Sequence, residues 1–149
     1  MSDYDTDLLL WSERQAALLR RAAAGEQVND QVDWENVAEE IESLGKRDRR
    51  ELTNRLRVIL IHLVKLDTSP AREPRPGWHE TIIEQRAEVR RLLEDSPSLR
   101  PTIPAIIGKE LSAARAATLA SLAGYNEQRR VDPAGLDFTA EQVLGPWLP

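Results

Sequence analysis

The stretch from Trp34 to about Leu66 constrains this chain more than any other feature, because its whole length is compatible with one helix. Val37, Ile41 and Leu44 fall on one helical face, and the stripe resumes at Leu52, Leu56, Ile59, Leu63 and Leu66. Asp33 stands ahead of Trp34-Glu35-Asn36 as an acidic cap. Unbroken, such a helix is roughly 50 Å long at 1.5 Å per residue. The pattern is interrupted only around Gly45, and on a straight helix Asp48 falls inside the stripe, four residues from both Leu44 and Leu52. Either Asp48 pairs with a nearby arginine or the helix breaks at Gly45. The continuous helix is favoured, since a glycine costs only about 1 kcal/mol within one.

Shorter patterns flank this span. From Asp5 to Ala24, the residues Leu8, Trp11, Gln15, Leu18 and Ala22 recur at helical steps, with Thr6 or Asp5 as cap and Gly25 as terminator. Glu26 to Gln31 is polar and reads as a loop. Between Asp67 and Gly77 stand Pro70, Pro74 and Pro76, which lack amide donors and mark the main linker. Trp78, Ile82, Gln85, Val89 and Leu92 make a third stripe ending at Asp95-Ser96-Pro97. Ile103, Ile107, Leu111, Ala114, Thr118 and Leu122 make a fourth, ended by Gly124. Thr139-Ala140-Glu141-Gln142 has capping-box spacing and opens a short helix to Leu144.

The expectation is an all-α helical bundle with no β-sheet. Its four principal helices lie near Thr6–Ala24, Trp34–Leu66, Trp78–Glu94 and Thr102–Ala123, followed by a short C-terminal helix after Thr139. At 149 residues, with 41% hydrophobic and 30% charged, the chain has the size and balance of a single α-helical domain spanning 1–149.

Composition narrows the function classes. With no cysteine, the chain has no disulfide, thiol nucleophile or cysteine-based metal site. The start, Met1-Ser2-Asp3-Tyr4-Asp5, lacks the basic and apolar regions of a signal peptide, and no apolar run reaches the roughly 20 residues of a membrane span. A cytoplasmic protein without membrane contact is expected. Twenty-five acidic against twenty basic residues give a formal charge of −5, which disfavours nucleic acid as a partner except through a local patch.

Few residues suggest chemistry. Glu39 and Glu42 stand at a spacing that projects both carboxylates from neighbouring helical positions toward one metal ion. A ferritin-like site needs Glu-x-x-His pairs, which this chain lacks, and a solvated acidic surface explains the pair more simply. His62 lies between Val58 and Leu66 on the flank of the apolar stripe, where a neutral, hydrogen-bonded ring is the first reading, with Tyr4, Trp78 or a carboxylate from another helix as its partner. A metal ligand or a general acid or base is the sharper alternative. Glu42 and His62 are twenty residues apart, so one subunit joins them only by folding back at Gly45. His79 has no ligand partner in sequence. Lys46, Arg47, Arg49, Arg50, Arg55 and Arg57 form a basic stretch, diluted by Asp48 and Glu51, for which a salt-bridged surface is favoured over phosphate contact.

Taken in order, several blocks resemble the domain of unknown function 29 family of bacterial proteins. They are Tyr4-Asp5-Thr6-Asp7 with Trp11; Glu39-Glu40-Ile41-Glu42-Ser43-Leu44-Gly45; Arg50-Glu51-Leu52; His62-Leu63-Val64-Lys65-Leu66; Trp78 with Thr81-Ile82 and Gln85-Arg86; Ser96-Pro97-Ser98-Leu99; and Gln142-Val143-Leu144 with Leu148-Pro149. The resemblance covers nearly the whole chain. It implies an α-helical fold and supplies no reaction, cofactor or catalytic residues.

The sequence contains no phosphate-binding glycine loop, nucleophile elbow or catalytic triad, which argues against enzyme activity. The leading expectation is a protein-interaction or regulatory module that binds a partner protein, or itself as a homodimer, with no cofactor. Its motive is the lower half of the long helix, where Val58, Ile59, Leu60, Ile61, Leu63 and Val64 leave apolar groups around most of the circumference. The alternative is a small metal-dependent or acid–base enzyme using Glu39, Glu42 and His62. A second alternative is nucleic-acid binding through Arg47–Arg57.

Overall fold

Asp7 shapes the first turn of the chain. Its backbone leaves the helical region at φ −149° and ψ 84°, and its Oδ1 accepts a hydrogen bond from the Leu10 amide at 3.0 Å. A capping side chain of this kind satisfies one of the amide donors that a helix start leaves unpaired. The helix expected over Thr6–Ala24 is α2, Leu8–Ala23, and a separate single turn, α1 at Asp3–Thr6, precedes it. Gly25 then turns the chain with φ +89°, a left-handed conformation that glycine adopts without a Cβ penalty. The computed structural model describes residues 2–124 and 132–149, apart from the side chain of Ala134.

Helix α3 runs Trp34–Thr68, 35 residues without a break at Gly45. The helix is continuous, as favoured, and among the described residues no arginine pairs with Asp48. Its carboxylate instead accepts a hydrogen bond from the Ser96 hydroxyl at 2.9 Å, so a serine at the end of another helix satisfies the acid on the stripe.

Helix α4 spans Arg75–Asp95 and begins three residues before the expected Trp78. Pro74 is its cap and Pro76 lies in its first turn, where the missing amide has no helical acceptor to lose. Arg75, taken from the expected linker, donates to the carbonyls of Leu66 at 2.6 Å and Ser69 at 3.2 Å. A cation thereby covers the unpaired carbonyls at the C-terminus of α3. A 3₁₀ turn at Pro97–Thr102 leads into α5, Ile103–Gly124. The capping box at Thr139 and Gln142 opens α6, Ala140–Leu144, as its spacing predicts. No β-strand occurs among the described residues.

The contacts of the chain divide it into two compact units, Met1–Arg47 and Asp48–Pro149. In the second unit the C-terminal half of α3 packs with α4, α5 and α6. Leu52, Leu56, Ile59, Leu60, Leu63 and Val64 are all fully buried there, against Ile82, Val89, Ile107, Leu111, Ala114 and Val143. This corrects the expectation that the lower half of the long helix leaves apolar surface free. Four of its six cited residues are completely covered, and Val58 and Ile61 are partly so. The first unit has a smaller core of Trp11, Val28 and Val32, with Tyr4 edge-on to Trp11 at 4.9 Å between ring centroids. Val28 is buried although it lies in the stretch read as a polar loop.

Candidate functional site

Polar contacts order the inner side of the N-terminal unit. Asp33 receives the Trp11 indole N–H at 3.1 Å and the Asn36 side-chain amide at 2.8 Å, while its own backbone N–H donates to Gln15 Oε1 at 2.8 Å. The hydrogen bond from Asn36, joined by that from Trp11, holds the Asp33 carboxyl below its ordinary value. Tyr4 donates its hydroxyl to Glu40 at 2.8 Å. That hydrogen bond, helped by burial and by the nearby carboxylates, pushes the phenol up to about 12. Glu40 is thus the anchor for α1, and Asp33 joins α2 to the start of α3.

With those groups turned inward, the apolar stripe on the first half of α3 is open to solvent at Ile41 and Leu44, while Val37 is partly covered. Ile41 is 63% and Leu44 58% exposed, Trp34 is half-exposed, and Leu8 and Leu9 of α2 are also open. The Trp34 indole N–H is satisfied by the Asn29 carbonyl at 3.0 Å, which leaves the ring as an apolar surface. Trp34, Ile41 and Leu44 share one face of α3 and cover about three turns. Exposed large side chains so grouped are the usual mark of a contact surface. The unit is acidic as a whole, since residues 1–47 contain eleven Asp and Glu against five Lys and Arg, a formal −6, although the exposed Lys46 and Arg47 follow Leu44; the remainder of the chain is close to neutral.

The other singled-out residues occupy separate places. Glu39 and Glu42 are both exposed on α3. His62 is half-buried on the same helix, where its Nδ1–H donates to the Val58 carbonyl at 2.7 Å. The partner is therefore one turn back on its own helix, not Tyr4, Trp78 or a carboxylate from elsewhere. Burial depresses the imidazole below its ordinary value against the opposing pull of that hydrogen bond. Because α3 is unbroken, the fold-back needed to join Glu42 to His62 does not occur. Among the described residues, no three His, Asp or Glu side chains gather at metal-binding distance. His79 has a buried Nε2 with no hydrogen-bond partner among the described residues.

The basic stretch is partly neutralised. Arg55 bonds Glu51 at 2.8 Å and Gln85 at 3.2 Å, and stands 3.9 Å from Glu88; Arg57 bonds Glu110 at 2.8 Å. Arg47, Arg49 and Arg50 are exposed. Sequence reasoning missed Glu110, which is buried on α5, and Arg86, which is buried on α4. Both had a signal, since Arg86 falls between Ile82 and Val89, and Glu110 between Ile107 and Ala114, on otherwise apolar faces. No helix among the described residues is long and apolar enough to cross a membrane.

These elements define an all-α protein built on one long helix, without a recognisable catalytic constellation among its described residues. The chain belongs to the family of the domain of unknown function DUF29, whose model matches residues 4–148. It is similar to an alpha-helical protein of unknown function from Rhodospirillum rubrum, known from a crystal structure. The two are 26% identical with a TM-score of 0.61, over 98% of this chain and 91% of that one. No curated protein matches the sequence.

Proposed function

We propose that this protein is an interaction module whose N-terminal unit receives a basic, amphipathic helical segment of a partner protein. The observation that carries this reading is the stripe of Trp34, Ile41 and Leu44, left open on a unit whose net charge is negative. Helix-in-groove recognition uses apolar anchors at such spacings, and charge of opposite sign around them steers and selects the partner. A second copy of the same unit would bring a formal −6 against −6, which works against self-association through this face. The partner is thus expected to carry leucine-like residues on one face and lysine or arginine beside them.

The test uses two helical peptides with the same apolar stripe, one flanked by lysines and one by glutamates, titrated onto the whole protein by fluorescence anisotropy. The lysine peptide should bind, and binding should weaken about tenfold or more in the Ile41→Ser, Leu44→Ser double variant, a loss of about 1.4 kcal/mol or more. Added salt should weaken it further. Equal binding of both peptides, or no effect of the double variant, overturns the reading. So does a dimer at micromolar concentration in sedimentation that the same two substitutions dissociate, because the face would then belong to a second copy.

A further inference from the structure

The unit Asp48–Pro149 holds a cleft of about 250 Å³ between α3, α4 and α5, lined by Lys65, Ser69, Pro74, Trp78, Thr118 and Leu122. Thr118 is 1% exposed, yet its hydroxyl has no hydrogen-bond partner among the described residues. Thr68, equally buried on α3, shows the ordinary solution by donating to the Val64 carbonyl one turn back at 2.7 Å. A buried hydroxyl left unpaired is costly, and so points to a group that is meant to meet it. Lys65, half-buried, lines the same cleft and makes no ion pair with a carboxylate among the described residues. Its ammonium stands 5.9 Å from the centre of the Trp78 ring, a contact that orders the cation without cancelling its charge. Trp78, Pro74 and Leu122 supply apolar walls.

We propose that this cleft binds a small carboxylate with an apolar body. Lys65 pairs with the carboxylate, Thr118 donates its hydroxyl hydrogen to it, and the body lies against Trp78 and Leu122. One cation matches one carboxylate. A phosphate monoester carries close to two negative charges and would leave one of them uncompensated in a largely apolar cleft. The volume is roughly eight times the share of one water, so the ligand has on the order of ten non-hydrogen atoms. The cleft shares no residue with the exposed face of the N-terminal unit, so either proposal can fail alone.

The test is a titration of the whole ¹⁵N-labelled protein with phenylacetate, hexanoate and the uncharged phenylacetamide. The reporter is the Trp78 indole resonance, assigned by its loss in Trp78→Phe. Both acids should move that resonance saturably, and the amide should bind about tenfold more weakly or worse, as expected when a charge-assisted contact is removed. Lys65→Met should weaken both acids by about tenfold, and Thr118→Val by roughly three- to tenfold. The second variant keeps the shape of the side chain and removes an orphaned hydroxyl, so its melting temperature should match or exceed that of the parent. A Trp78 resonance unmoved by either acid overturns the proposal. Equal binding of acid and amide, or unchanged affinity in both variants, overturns it as well.

Discussion

Replacing Arg86 with methionine leaves three carbonyl groups without their donor. The guanidinium, 5% exposed on α4, donates from Nε to Val143 at 2.8 Å and from one terminal nitrogen to Gln142 at 2.8 Å and Trp147 at 2.7 Å. It therefore covers the C-terminus of α6 and fixes the closing Gly145-Pro146-Trp147 segment. Burial and the neighbouring Arg90 pull its pKa down, so the cation is held at a desolvation cost that the three carbonyl dipoles offset. A hydrogen bond to a charged group is worth about 1.5–3 kcal/mol, but the three do not simply add, because the freed carbonyls can reach water once α6 and the tail detach. The loss in Arg86→Met is thus expected at about 2–4 kcal/mol, below the sum of the three bonds because the groups left behind are neutral carbonyls. Urea unfolding followed by circular dichroism measures it, and hydrogen exchange at Val143 should rise more than at Leu60. Arg86→Lys should recover only part of the loss, since an ammonium lacks the planar fork that reaches all three acceptors. A loss below about 1 kcal/mol with the tail still protected would refute the reasoning.

Gly45→Ala should stabilise the protein by roughly 0.5–1 kcal/mol in the same unfolding assay, because Gly45 lies inside α3 and a Cβ there meets nothing within 4 Å. Destabilisation would contradict an unbroken helix. Glu110 is held below the usual carboxylate range by its hydrogen bond from Arg57. Its contribution to stability is present above the unfolded value near 4.3 and is lost as pH falls through the lower folded value, a slope that Glu110→Gln should flatten in melting curves between about pH 5 and 3. Burial depresses His62 in the folded state, so its contribution is present above the unfolded value of about 6.5 and declines as pH falls below it. His62→Ala should remove that decline and lower stability at neutral pH by about 1–3 kcal/mol through lost packing and the lost ring hydrogen bond, the Val58 carbonyl keeping its backbone partner within α3.

Periodicity and punctuation in the sequence determined the helices. Leu52, Leu56, Ile59, Leu63 and Leu66 recur at a 3.6-residue period, and Thr139 with Gln142 carries its own cap, so these features are local and legible without the fold. Boundaries set by a single side chain were harder. Asp7 caps α2 and sets the preceding turn α1 apart from it, and Arg75 draws part of the expected linker into α4, because each satisfies backbone groups whose exposure depends on the surrounding structure. Tertiary structure alone decided which apolar stripes are covered. Ile41 and Leu44 have the same pattern as Leu56 and Ile59, yet the first pair is exposed and the second lies fully buried in the core of its own unit, so identical periodicity yields an open face in one half of α3 and a core in the other. Partners at long range were equally out of reach. Nothing local tells that Asp48 meets Ser96, that Arg57 meets Glu110, or that the Thr118 hydroxyl is left unpaired beside Lys65. The physical reason is that a helix specifies which residues share a face through its own backbone geometry, while the satisfaction of buried polar groups depends on side chains brought from distant positions by packing.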